Sequence, residues 1–191
     1  MDTTRASLLL RIKNQRDAKA WAEFDAIYRP ILRRYANAWR LPEEEAQDVI
    51  QNCMLAIHKH IAGFDYDPKK GRFRAWLKTM VCNRVKNLLR DRREKQADSG
   101  DFIREQAREP APDEELDRIW MEEHLKHALE CVRSEVDATT LDAFLRYVIE
   151  EKPVKAVCDE FGINAQALYK IKWRITQRLR EKMTDLTGEE A

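Results

Sequence analysis

Apolar residues recur along this chain at steps of three and four, and alternating runs are few, so the pattern predicts helices rather than a sheet. Leu8, Leu9 and Ile12 mark a short first helix with Thr3, Thr4 and Ser7 as candidate caps, ending near Asn14. A longer stripe follows through Trp21, Phe24, Tyr28, Ile31, Tyr35 and Trp39, with Pro30 as a point where that helix could kink. Pro42 and the acids Glu43, Glu44 and Glu45 read as the start of a helix that buries Ala46, Ile50, Cys53 and Ile57 and stops at a left-handed Gly63. After a loop containing Asp65, Asp67, Pro68 and Gly71, a helix is predicted from Phe73 to Arg93, its apolar stripe formed by Phe73, Leu77, Met80, Val81, Leu88 and Leu89.

From Gln96 the apolar pattern collapses, and Ser99, Gly100, Pro110 and Pro112 appear among acids, which predicts a tether. Asp113 then caps a helix with Leu116, Trp120, Leu125, Leu129 and Val132, and a further helix carries Leu141, Phe144, Leu145 and Val148. Pro153 opens a short helix with Val154, Val157 and Phe161. Gly162, Ile163 and Asn164 make a tight turn, and a last helix runs from Ala165 to about Met183 around Leu168, Ile171, Ile175 and Leu179. The expected fold is all-α: a helical domain over 1–95, an acidic linker over 96–112, a helix-turn-helix domain over 113–185 and a tail over 186–191. The low glycine and proline content, 5 and 6 in 191 residues, supports helices because a sheet would need more turn residues.

Charge changes this picture more than composition does. The chain holds 35 Lys and Arg against 34 Asp and Glu, so its formal charge of +1 conceals two basic zones. Between Lys69 and Lys95 eleven cations face only Asp91 and Glu94, an excess suited to phosphate through counterion release. Acids dominate from Asp98 to Glu123, and cations return between Lys170 and Lys182. Two basic modules joined by an acidic segment fit nucleic-acid binding.

Catalytic chemistry finds little support. No Gly-rich phosphate loop, HExxH or GxSxG is present, and Cys53, Cys82, Cys131 and Cys158 form no CxxC pair, so they read as free thiols. His58, His60, His124 and His127 lack further ligands at zinc spacing and read as solvated surface, so neither a metal nor another cofactor is expected. Arg11 and Lys13 break the leucines of the N-terminus, and no later run approaches the roughly 20 residues of a membrane span. The expectation is a soluble, cytoplasmic protein that is not an enzyme.

In the last helix, Gln166, Tyr169, Lys170, Trp173, Arg174, Gln177 and Arg178 fall off the apolar stripe. Amide, guanidinium and ammonium groups at these positions could read base edges or hold phosphate in a major groove, with Tyr169 and Trp173 against sugar or a thymine methyl. Packing of Trp173 on a neighbouring helix is the competing reading. Trp76, beside Phe73 and Leu77, reads as buried structure rather than a base-stacking platform.

With these segments in view, the chain resembles bacterial extracytoplasmic-function sigma factors over nearly its full length. AWAEFDAIYRPILRRYANAW and AQDVIQNCMLAIHKHIAGFDYDPKKGRFRAWLKTMVCNRVKNLLRDRR are similar to region two of that family, and GINAQALYKIKWRITQRLREKM to the recognition half of region four. DPKKGRFRAWL and ALYKIKWRITQRLRE are most similar to planctomycete-type members. The resemblance implies partners: core RNA polymerase, promoter DNA and, in this family, an anti-sigma protein. It implies that Asp48 and Gln51 meet the polymerase clamp helices, and that Asn83, with Lys86 and Asn87 a turn further, contacts separated promoter bases. The minus-ten contact set becomes Lys69, Lys70, Arg74, Asn83, Arg84, Lys86, Asn87 and Arg90. The minus-thirty-five set becomes Gln166, Tyr169, Lys170, Trp173, Arg174 and Arg178. This recognition helix departs from the family's TV-and-arginine pattern at Ala167, Leu168, Tyr169, Ile171 and Thr176. The rival reading is a helix-turn-helix regulator or adaptor that never engages polymerase.

Overall fold

The computed structural model describes residues 5–64, 72–99 and 113–187, and every regular element among them is helical. These are α1 (Arg5–Arg11), α2 (Ala18–Asn37), α3 (Glu43–His60), α4 (Arg72–Ser99), α5 (Asp113–Glu135), α6 (Ala138–Phe144), α7 (Val154–Phe161) and α8 (Ala165–Thr187). A 3-10 turn at Ile61–Gly63 follows α3, and a π-helical turn at Leu145–Ile149 follows α6. Among the described residues no helix is long and apolar enough to cross a membrane. The chain divides into two units, Met1–Glu123 and His124–Ala191, the boundary falling within α5. Lys69, Lys70, the preceding loop acids and residues 100–112 of the expected tether lie outside the described residues.

In the first unit, Asp17 caps α2 by accepting a 2.9 Å hydrogen bond from the Ala20 amide, and this bond holds the Asp17 carboxyl below its ordinary pKa. α2 continues unbroken past Pro30. Both Pro30 and Ala26, whose carbonyl loses its partner, are exposed, so water can serve that carbonyl. Pro42 is the N-cap of α3 rather than its first helical residue, and three acids in the first turn meet the positive end of the dipole. Gly63 does not supply a left-handed stop: α3 tightens into the 3-10 turn, and among the described residues Gly162 is the glycine with positive φ.

An aromatic cluster joins these helices. Phe73, fully buried at the start of α4, packs edge-on to Phe24 and Tyr28 of α2 at centroid distances of 6.1 and 5.1 Å. Leu77, Val81 and Val85 continue its buried stripe, whereas Met80, Leu88 and Leu89 are only half-buried. α4 also runs past the predicted Arg93 to Ser99, taking in residues 96–99 of the expected linker.

The second unit buries Val132, Leu141, Phe144 and Ile175 in one cluster and Ala143, Val157 and Leu168 in another. The buried stripe of α5 steps through Leu116, Trp120, His124, Ala128 and Val132, which leaves Leu125 exposed and corrects two expectations together. His124 is fully buried, not solvated surface. Predicted as the end of one helix, Leu145 and Val148 instead lie in the π turn, from which Ile149 projects 65% exposed. α8 extends beyond Met183 through Leu186 and Thr187, both buried, so the expected tail starts within the helix.

Replacing Phe73 by Ala removes the hub of the aromatic cluster and should destabilise the first unit by about 3–5 kcal/mol, read as a lowered midpoint in urea denaturation. Gly162→Ala has room for its Cβ but holds φ at 65°, so it should cost about 1 kcal/mol in the same assay.

Candidate nucleic-acid interface

Because α4 buries one stripe, its opposite face is left to water. Asn83, Arg84, Lys86, Asn87 and Arg90 are all exposed. Asn83, Lys86, Asn87 and Arg90 follow one another at i, i+3, i+4 and i+7, so two amides and two cations share one side. Arg90 lies 3.3 Å from Asp91 and 3.8 Å from Glu94, exposed pairs that hold it weakly. Burial raises the Cys82 thiol, against the opposing pull of Lys86 and Lys78, and Cys53, on the buried stripe of α3, is pushed up to about 12, so neither is a ready nucleophile.

Arg74 is not part of that row. The nine positions from Arg74 to Asn83 make about two and a half turns, so the two side chains leave α4 on opposite sides. Arg74 pairs with Asp117, and its guanidinium lies 5.7 Å from the ring centroid of Trp120, itself fully buried. Lys78, one turn on and absent from the predicted contacts, reaches Asp113 at 2.7 Å and Asp117 at 3.8 Å. From α2, Arg34 donates to Glu122 at 2.6 Å and to Glu123 at 2.9 Å, and the bond from Arg34 is the main cause of the lowered pKa of Glu122. The acidic start of α5 is thus bound to α2 and α4 rather than hanging free.

On α3, Asp48 and Gln51 are exposed one turn apart, with Asn52 and an unusually exposed Leu55 on the same side. A groove of about 480 Å³ separates α3 from the later turns of α4 and is lined by Glu45, Asn52, Arg84, Asn87 and Arg92. Arg92 crosses it to Glu45 at 3.4 Å. Trp76 is half-buried rather than buried, its ring tilted against Phe64 at 4.8 Å and Phe73 at 5.7 Å.

The second unit presents a separate surface. Gly162 in left-handed conformation ends α7, and Asn164 caps α8 by accepting from the Ala167 amide at 2.8 Å. Along α8, Gln166, Tyr169, Lys170, Trp173 and Arg174 are exposed. Trp173 is 68% exposed, which removes the reading in which it packs against a neighbouring helix. Arg178 differs from these: it donates to the Glu135 carbonyl at 3.4 Å and lies 3.8 Å from the Glu135 carboxylate, which Lys182 also meets at 2.7 Å. That bond from Lys182 leads the causes that hold Glu135 below its ordinary pKa. Sequence reasoning missed Tyr147 of the π turn, whose ring lies 6.2 Å from Tyr169 and carries the Lys172 ammonium 5.2 Å above it. Among the described residues no group of three or more His, Cys, Asp or Glu could hold a metal ion.

Residues 26–95 match the family described as sigma-70 region 2, a span that takes in most of α2, all of α3 and most of α4. No curated protein sequence matches the chain. Among solved structures, CnrH in complex with the cytosolic domain of CnrY is 20% identical, with 93% of this chain and 95% of that one covered at a TM-score of 0.39. The sigma factor RpoE in complex with the anti-sigma factor NepR from Bartonella quintana is 22% identical, with 87% of this chain and 98% of that one covered at a TM-score of 0.36.

Proposed function

We propose that the protein is a sigma factor, which joins core RNA polymerase and directs it to promoters. The observation that carries this reading is the region 2 match over residues 26–95, the span whose α4 presents Asn83, Lys86, Asn87 and Arg90 on one solvated face. An unpaired base offers a hydrogen-bonding edge and a π-face, and its strand offers phosphate. Exposed amides beside cations supply the chemistry for the base edge and the phosphate. On this reading α4 holds the opened minus-ten strand, and Asp48 and Gln51 dock α3 on the polymerase. α8 enters the major groove of the minus-thirty-five element with Gln166, Tyr169, Lys170, Trp173 and Arg174. Arg178, which also reaches Glu135, stands at the far end of this set. The region-two and recognition-helix wording supports a planctomycete-type extracytoplasmic-function member. No step of this function breaks or forms a bond on the protein.

Reconstitution tests the reading: core polymerase with this protein should yield promoter-dependent transcripts from a randomised promoter pool. No transcript, combined with tight duplex binding by the protein alone, would favour a helix-turn-helix regulator that works without polymerase. Asp48→Arg should weaken capture of core polymerase at least tenfold while the helical signal in circular dichroism stays unchanged. Equal capture would remove α3 as the docking face. Asn83→Ala should slow strand opening, followed by 2-aminopurine fluorescence, more than it weakens initial duplex capture. An equal loss in both would count against base contact by Asn83.

A further inference from the structure

The first turns of α5 place two acids against cations of α4. Asp113 and Asp117 stand at i and i+4, about 6 Å apart on the helix surface. Both reach cations of α4: Asp113 meets Lys78, and Asp117 meets Arg74 and, more distantly, Lys78. The two cations are not held equally. Arg74 is gripped by a carboxylate and lies over the ring of fully buried Trp120, and Leu116 and Ile119 are buried beside it in sequence, so this part of α5 stays docked. The Lys78 ammonium has two carboxylates, and the nearer belongs to Asp113, the first residue of α5, whose side chain is 84% exposed. An ion pair with one partner so exposed is weak and easily exchanged.

We infer that Lys78 is a phosphate-binding residue of α4 and that Asp113 is a built-in phosphate mimic covering it in the free chain. This regulates the site proposed above and rests on the reading of α4 as a nucleic-acid surface. While Asp113 occupies Lys78, the first unit has one fewer cation to offer any duplex it meets, so indiscriminate binding is suppressed. A strand that reaches the Lys78 side of α4 brings a phosphate that replaces Asp113, and Lys78 then adds its contact. Arg74 does not exchange; it is a positioning residue that keeps α5, and so Asp113, in register with Lys78.

The test is a double-mutant cycle read by fluorescence anisotropy, with the full chain and labelled single-stranded and duplex oligonucleotides of mixed sequence across a salt series. Asp113→Asn should bind about threefold more tightly at low salt, in proportion to a weak exposed pair. Lys78→Gln should reduce the steepness of log affinity against log salt by about 0.7–0.9, one phosphate contact. The double variant should match Lys78→Gln alone, because without Lys78 the mimic has nothing to cover. Glu114→Gln, which neutralises the next acid along, should give a clearly smaller gain than Asp113→Asn. A gain from Asp113→Asn that persists in the Lys78→Gln background, or an equal gain from Glu114→Gln, would show a general charge effect and overturn the inference. Absence of salt-dependent binding by the unaltered chain would instead remove the nucleic-acid reading of α4 itself.

Discussion

Burial of a single stripe of α4 against α2 and α3 governs what the first unit can do. Phe73, Leu77, Val81 and Val85 are withdrawn from water, with Phe73 edge-on to Phe24 and Tyr28, and this fixes the rotation of α4 about its axis. Once that rotation is fixed, helical geometry leaves no freedom over where the polar residues go: Asn83, Lys86, Asn87 and Arg90 must face solvent together. The exposed row follows from the buried one. A substitution that rotated α4 by a single residue would turn the whole row by about 100° without removing any member of it.

Electrostatics then sorts the cations of α4 into two groups. On the solvated face Arg90 meets Asp91 and Glu94 in weak exposed pairs, whereas Arg74 and Lys78, on the other edge, meet the acids that open α5. α5 is anchored there by the burial of Leu116, Ile119 and Trp120 and by the reach of Arg34 to Glu122 and Glu123. Burial supplies the adhesion and charge supplies the register, since exposed ion pairs contribute little by themselves.

The helices were largely legible in the sequence, for a physical reason: an amphipathic helix repeats its apolar residues at its own period, so α2, α3 and α8 could be read from Trp21 to Tyr35, Ala46 to Ile57 and Leu168 to Leu179. Where the period allowed two answers it misled. From Trp120 the regular step of four lands on His124, hydrophobicity favours Leu125 one position further, and packing chose His124. The π turn at Leu145–Ile149 shifts register within an apolar stretch broken by Arg146, so nothing in the spacing announces it. Candidate contacts divided the same way. Exposure of Asn83 and Asn87 followed from the stripe, but the pairing of Arg74 with Asp117, far along the chain, has no local signal. Trp173 was ambiguous between packing and solvent until its exposure decided the matter.

The central claim is that the solvated row of α4 touches an unpaired promoter strand while α3 touches the polymerase. Cryo-electron microscopy of the protein with core polymerase and a forked promoter measures this most directly. The account predicts density for separated bases against Asn83 and Asn87, with Asp48 and Gln51 at the polymerase surface. A complex in which α4 turns that row toward solvent or protein, with the opened strand running elsewhere, would contradict it.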